Sequence, residues 1–366
     1  MNQCYLPENS SIRNLSNEYG NEIAKIQFFH NKVEKHIQVL LGQTYVLPEV
    51  LAAFKDFSTA LASLINPTID FAEGQVKPKD RANKYDIYDK YFEVNRVQNM
   101  SYGQFIQQYL DTSAELVNEF QYTSMSRGEI AYILKGWEAA NLILLAGQQP
   151  THQHFAEAAV VEAAPKDNNQ RALYRWKLAH HGFAVFMIFS GHCFEKAIEG
   201  LENGMADAEL MDWLDKGAHL FRATTACMEF GNSFTSTVYR GVIRPDMSRA
   251  NKEANLPNGF SGTQNYEYIQ WRKLKMKLLK TIKSKMETLS PEVMEKVELF
   301  RTYYLEDMHI HSIIAGRMVG TEKSLLQEGF GARRGKPMSI TAGDMLRMMA
   351  GMREKEVAFI LTMNDK

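Results

Sequence analysis

Cysteine is scarce in this chain of 366 residues, which contains only Cys4, Cys193 and Cys227. No pair has the C-x-x-C spacing, which argues against a disulfide framework, a cysteine-based zinc site and a C-x-x-C-H haem attachment. Such sparse cysteine usage is typical of proteins in a reducing compartment. We therefore expect a cytoplasmic location.

Long apolar runs and an excess of one charge are also missing. No run approaches the roughly 20 apolar residues that span a bilayer, and the first residues lack the basic segment and apolar core of a signal peptide. The formal net charge is −1 at pH 7, so no global basic excess would recruit nucleic acid or an acidic membrane surface. We expect neither kind of partner.

Alternating β-branched runs are almost absent, so the sequence gives little reason to predict strands. Apolar residues recur instead at helical spacing. The predicted helices cover residues 22–41, 48–65, 101–120, 127–146, 172–201, 208–230, 266–286, 300–320 and 341–361. The predicted fold is therefore all-α, a helical bundle preceded by an N-terminal helical region.

The polar residues 164–171 form the best candidate linker, which predicts a helical region at 1–165 and a second domain at 166–366. Residues 68–100 are charged and are predicted to be a surface excursion or a mobile connection. Long irregular stretches at 245–264 and 321–340 are predicted to be binding loops or lids. The apolar faces of the N-terminal helices are compatible with a homodimer.

Two histidines stand out in the predicted helix at 300–320. At about 100° per residue, His311 shares a face with Phe300, Tyr304 and Met308, whereas His309 lies on the opposite side. Burying an unpaired polar group costs about 1–3 kcal/mol, so a buried His311 needs a carbonyl, a water or a metal as its partner.

A second helix, Leu178–Ile198, also carries histidines on one continuous face, namely His181 and His192. These could meet His311 across a bundle core. A flat metal cofactor held between two helices needs an axial histidine and a shaped opposite pocket, and this arrangement would supply both.

Two other classes of function remain open at this point. The Glu306-x-x-His309 pairing is the one used by di-iron bundles, which would make the chain a non-haem di-iron oxidase of an amino compound. That site requires a second Glu-x-x-His, and the sequence has none. A non-catalytic helical protein that binds haem is the other alternative. The Gly-x-Ser-x-Gly nucleophile motif and phosphate-binding glycine loops are absent.

Several motifs, in order along the chain, resemble tryptophan 2,3-dioxygenases. The segment HSIIAGRMVG, His311–Gly320, resembles the proximal-haem segment of that family. Residues 339–347, SITAGDMLR, resemble its Gly/Ser/Thr-rich loop before the last helix. The segments at 238–245 and 259–264 resemble its substrate-binding segment, and the helix with FMIFSGHCFEKAI resembles its distal-pocket helix. The resemblance covers roughly residues 175–350.

The resemblance implies a role for each matching residue. His311 would be the axial ligand of the haem iron, with His309 as the alternative. Arg240 would bind the substrate carboxylate, for which a guanidinium fork is suited, with Arg244 as the fallback. The remaining positions are Ser339 or Thr341 near the substrate amino group and His192 or His181 on the distal side.

The N-terminal helical region and the Arg-Pro-x-Met…Gly-Phe-Ser-Gly pattern are more similar to the haem-dependent aromatic oxygenase branch of this superfamily, which includes tyrosine hydroxylases of natural-product biosynthesis. The resemblance thus implies an oxygenase that uses O2 or H2O2 on a tyrosine- or tryptophan-like amino acid. Hydroxylation is favoured over ring-cleaving dioxygenation. One branch attaches its haem through a cysteine four residues after the axial histidine. That position is Ala315 here, which implies a non-covalent haem b.

Overall fold

The computed structural model describes residues 3–15, 22–41, 47–64, 83–148, 167–253, 264–320 and 341–361. Helices dominate this part of the chain, and the all-α prediction is confirmed. They are α1 Glu22–Leu41, α2 Leu47–Ala62, α3 Asn83–Phe92, α4 Tyr102–Phe120, α5 Arg127–Leu145, α6 Asn168–Asn203, α7 Asp207–Gly231, α8 Ser236–Val238, α9 Arg244–Glu253, α10 Tyr266–Lys285, α11 Pro291–Val319 and α12 Ala342–Leu361. A π-helical segment, Tyr239–Ile243, joins α8 to α9.

Local signals in the sequence explain where several helices begin. Ser101 and Ser126 each form a capping box with the Gln or Glu three residues later, which satisfies backbone N–H groups at the starts of α4 and α5. Ser290 caps α11, and Pro291 occupies its first turn, where the missing N–H costs nothing.

Two short strands were missed by the sequence reasoning. β1, Cys4–Pro7, pairs in parallel with β2, Val94–Val97. Residues 68–100, predicted to be a surface excursion, therefore contain both α3 and β2. The buried Arg96 in β2 donates hydrogen bonds to Asp89 and Glu267, so a charged side chain here is internal. For residues 83–100 the prediction was therefore wrong, because charged side chains there are buried in ion pairs, whereas residues 68–82 lie outside the described residues.

Helix α7 lies at the centre of the second half of the molecule, with α5, α6 and α11 packed around it. Small residues allow the close approach: a Cβ on Gly136 of α5 would come 2.3 Å from the Cβ of Ala223. Trp271 of α10 fills a second apolar cluster, stacked on Phe221 at 4.6 Å, and its indole N–H donates to the Ser190 hydroxyl at 3.0 Å.

The largest apolar cluster continues across the predicted linker. Phe105 and Tyr109 of α4 contact Phe189 of α6, with ring centroids 5.4 and 5.3 Å apart. The division into regions at 1–165 and 166–366 remains a prediction. Part of the predicted loop at 245–264 is helical, because α9 extends to Glu253, whereas residues 254–263 and the loop at 321–340 lie outside the described residues.

None of the helices within the described ranges is long and apolar enough to cross a membrane.

Candidate functional site

Helix α11 leaves the main core partway along its length. Phe300, Tyr304 and Met308 are buried, as the helical wheel predicts, but His311 on the same face is exposed. The prediction that His311 is buried was therefore wrong. Beyond Met308, the buried residues of α11 within the described ranges belong to a small apolar cluster, separate from the large core. His309 is exposed, as predicted.

The His311 side chain is exposed but lies close to charged groups of the protein. Solvent reaches the side chain, yet desolvation by nearby protein lowers the pKa of His311 below its ordinary value, while the Asp307 carboxylate acts in the opposite direction. Among the described residues, none forms a hydrogen bond with either ring nitrogen. The lowered pKa favours the neutral imidazole, in which one ring nitrogen carries a lone pair that can bind a metal ion.

Helix α12 runs antiparallel to α11 beside His311. Glu356 accepts a hydrogen bond from the Tyr304 hydroxyl at 3.1 Å, and Arg353 donates to Asp307 at 2.7 Å, one turn further along α11. Continuing this register by one more turn places His311 level with Met349. The ion pair thus fixes which part of α12 faces the histidine.

The part of α12 that is aligned with His311 carries exposed apolar side chains. Met348, Met349 and Met352 on α12 are 58%, 36% and 61% exposed, and Ile313 on α11 is 57% exposed. Exposed apolar side chains on consecutive turns of a helix, such as the three methionines of α12, are a feature of binding surfaces. A neutral imidazole beside apolar thioether and alkyl groups fits a haem, which needs one nitrogen ligand and apolar contact for its ring.

Helix α11 ends at a glycine that the backbone requires. Gly320 has φ 65° and ψ −127°, a combination that only glycine adopts readily. An Arg240 guanidinium nitrogen lies 3.4 Å from the position that a Cβ on Gly320 would take. The two motifs that carry Arg240 and His311 are therefore brought together at this end of α11.

Arg240 lies in the π-helical segment Tyr239–Ile243. Such segments are rare and occur frequently at functional sites. The Arg240 side chain is exposed, whereas Arg244, one turn later, is half-buried. Arg317 donates to the Asn232 carbonyl at 2.9 Å, which holds the end of α11 against α7 close to this segment.

Thr341 begins α12 as a helix cap. Its hydroxyl donates to Asp344 Oδ2 at 2.8 Å and accepts from the Asp344 N–H at 3.1 Å. Ala342, the next residue, packs with Ile314 and Met318 of α11, so Thr341 lies at the same end of the helix pair as Gly320. Ser339 lies outside the described residues.

The predicted distal histidines do not gather around His311. His181 is 2% exposed, and its Nε2 is 2.5 Å from the Phe92 carbonyl oxygen. Burial lowers the pKa of His181 to about 4. This backbone contact points to a structural role for the imidazole.

His192 contacts Trp213 near the start of α7, with the rings 5.8 Å apart. Its pKa is lowered to about 4, mainly by desolvation and then by Arg13. His311 lies instead beside the other end of α7, where Thr225 contacts Asp307. No hydrogen bond or ring contact among the described residues links either distal candidate to His311.

The di-iron alternative finds no support in the structure. Arg222 binds Glu306 at 3.2 Å and Glu229 at 3.2 Å, so the Glu306 carboxylate is committed to a cation. Within the described part of the chain, no three His, Cys, Asp or Glu side chains are grouped so that they could hold a metal ion.

Sequence reasoning missed Asp307 and Arg353. Asp307 stands one helical turn before His311, a spacing that places both on one face, and this signal was available. Arg353 could not be found in the same way, because its partner is distant in sequence.

Comparison with known proteins gives the family. The sequence profile of the family described as SfmD 3-methyl-L-tyrosine peroxygenase matches residues 31–294. A solved structure, the crystal structure of reduced SfmD by soaking with sodium hydrosulfite, has 15% sequence identity and a TM-score of 0.47, and the similarity covers 85% of this chain and 96% of that one. No curated protein sequence matches.

The profile match covers well over half of the chain but ends before His311. The assignment of the site residues on α11 and α12 therefore depends on their geometry in the structure. The family consists of haem-dependent oxidoreductases, and the predictions of an enzyme and of haem as its cofactor are confirmed at that level. The chain belongs to the SfmD 3-methyl-L-tyrosine peroxygenase family.

Proposed function

We propose that this protein hydroxylates a tyrosine-like amino acid with hydrogen peroxide, at a haem bound through His311. The observation that carries the proposal is the accessible, neutral His311 imidazole without a hydrogen-bond partner among the described residues. The overall conversion balances as R–H + H2O2 → R–OH + H2O. Bound haem would supply the activation of the peroxide O–O bond.

The haem would be held without a thioether bond. Ala315 occupies the position four residues after His311, and Cys4, Cys193 and Cys227 are each 0% exposed. No thiol is therefore accessible for attachment. The haem should leave the protein under acidic extraction into an organic solvent.

Arg240 would bind the substrate carboxylate. Its side chain is exposed beside the glycine that ends the His311 helix, and a guanidinium binds a carboxylate through two parallel hydrogen bonds. Hydroxyl groups of Ser339 or Thr341 remain the predicted partners of the amino group. Thr341 also caps α12 through Asp344, which fixes the hydroxyl at the start of that helix.

The substrate class follows from the family name, because 3-methyl-L-tyrosine is what that family is described as using. The test is product formation from 3-methyl-L-tyrosine, L-tyrosine and L-tryptophan, each with H2O2 or with O2 and a reductant. We expect a hydroxylated tyrosine-type product with peroxide. Ring-opened product, or turnover only with O2 and a reductant, would refute the proposal.

Arg240→Gln provides a sharper test, with Arg244→Gln as the matched control. A hydrogen bond to a charged group contributes about 1.5–3 kcal/mol, so kcat/KM should fall roughly tenfold to a hundredfold in Arg240→Gln. The decarboxylated amine analogue should lose a similar factor with the unaltered enzyme and no further factor with the variant. Equal losses in both variants would remove Arg240 from this role.

A further inference from the structure

Asp307 and Arg353 form a fixed ion pair next to His311. The Asp307 carboxylate accepts from the Thr225 hydroxyl at 2.9 Å through Oδ1 and from Arg353 Nη1 at 2.7 Å through Oδ2. Their side chains are 14% and 12% exposed. Both carboxylate oxygens therefore have a partner, and little solvent is available to screen the charges.

Arg353 of α12 is held by two neighbouring helices, α11 and α10. Its Nη1 also donates to the Tyr304 carbonyl of α11 at 3.1 Å, and its Nη2 donates to the Tyr268 hydroxyl of α10 at 3.3 Å. The guanidinium carbon lies 4.4 Å from the centre of the Tyr304 ring. With this many contacts, the Arg353 side chain is held in a single conformation, whereas the side chains of most surface ion pairs are free to move.

The two charges act on His311 in opposite directions. Asp307 lies one helical turn before His311 on the same face of α11. Its negative charge favours positive charge at the imidazole, and the Arg353 guanidinium, which donates to Asp307 at 2.7 Å, has the opposite effect. The pair is thus within electrostatic reach of the histidine without a direct hydrogen bond to it.

We propose that Asp307 and Arg353 are positioning residues that set the reduction potential of the iron bound by His311. The inference rests on the proposed role of His311 as axial ligand. Groups outside the ligand shell commonly tune a metal in this way. A negative charge near the ligand stabilises ferric over ferrous iron, and a positive charge does the reverse. Asp307 would therefore hold the iron in its ferric form, and Arg353 would limit that effect.

The test measures the ferric/ferrous midpoint potential of the haem-loaded protein. Asp307→Asn should raise the potential and Arg353→Gln should lower it. In each case the ratio of ferrous to ferric iron at a fixed solution potential should change by roughly tenfold to a hundredfold, as expected for one charge about a helical turn away at an effective dielectric near 20. Arg353→Lys, which keeps the charge, should restore most of the unaltered value.

Thr225→Val is the matched control. It removes one hydrogen bond from Asp307 but no charge, so the potential should stay close to that of the unaltered protein. A merely structural role would move both charge variants and Thr225→Val in one direction. Shifts of the same sign in Asp307→Asn and Arg353→Gln, or no shift in either, would overturn the inference.

Folding and ligation are checked separately. If Asp307→Asn does not fold, Arg353→Gln alone decides: a lowered potential supports the inference, and an unchanged or raised one refutes it. If His311→Ala keeps the haem spectrum of the unaltered protein, the ligand assignment itself has failed. The iron–histidine stretching frequency in the ferrous state provides a second readout, which should fall in Asp307→Asn.

Discussion

The Glu229 carboxyl group allows a direct test of whether burial in this protein keeps a carboxyl group protonated. Glu229 lies on α7, 3.2 Å from Arg222, with its side chain 12% exposed. Desolvation raises its pKa from 4.5 to about 7, although Arg222 opposes the rise and the carboxylates of Glu129 and Glu306 add to it. The folded protein therefore holds a proton on Glu229 over a pH range in which the unfolded chain has released it.

The sign of the stability effect follows from this proton. Because the folded protein binds this proton more tightly than the unfolded chain, Glu229 stabilises the fold fully below about pH 4.5. This stabilisation is lost as the pH rises to about 7. Each pKa unit corresponds to about 1.4 kcal/mol, so ionisation removes about 2–4 kcal/mol. Glu229→Gln resembles the protonated form. We expect it to match the unaltered protein at pH 5 and to be about 2–4 kcal/mol more stable at pH 8.

Urea unfolding of both proteins at pH 5 and pH 8 measures this difference. Met228→Ala, one residue earlier on α7, removes no ionisable group and should keep the pH dependence of the unaltered protein. If Glu229→Gln is the less stable protein at pH 8, the ion pair with Arg222 outweighs desolvation and the reasoning is wrong.

Three further predictions follow from other contacts. Lys275 is 0% exposed and donates to Glu356 at 2.8 Å, so Glu356→Gln should lower the free energy of unfolding by about 3–5 kcal/mol. Adding Lys275→Met should recover most of this loss. Additive losses in a double-mutant cycle would contradict the prediction. Gly136→Ala should lower the free energy of unfolding by about 1–3 kcal/mol, because the new Cβ would overlap Ala223. An unchanged Tm would show that α5 and α7 can move apart to accommodate it. Met352, 61% exposed, should gain one oxygen atom under H2O2 well before the buried methionines, as peptide mass spectrometry can show; equal rates would indicate that the buried sites open.

Much of the helical fold could be predicted because its signals are local. The bounds of α1, Glu22–Leu41, agree with the prediction from apolar spacing and the glycine that follows. β1 and β2 could not be found, since each has only four residues, too short for an alternating pattern to be recognised. Their pairing depends on chain segments far apart in the sequence.

The candidate site was predictable in part. The motifs that contain His311 and Arg240 were recognised from the sequence, and the structure places Arg240 beside Gly320, the last residue of the His311 motif. The exposure of His311 was not predictable from its helix, because the end of the apolar core is set by the neighbouring helices. The helical wheel placed His181 and His192 on one face of their helix. What each imidazole contacts depends on residues remote from it in the sequence, Phe92 for His181 and Trp213 for His192.

The central claim is that His311 binds the haem iron. Its most direct test is the absorption spectrum of haem-loaded protein in the unaltered, His311→Ala and His309→Ala forms. We expect an intense Soret band that is lost or strongly shifted in His311→Ala and unchanged in His309→Ala. An unchanged Soret band in His311→Ala, or its loss in His309→Ala alone, would show that His311 is not the ligand of the iron.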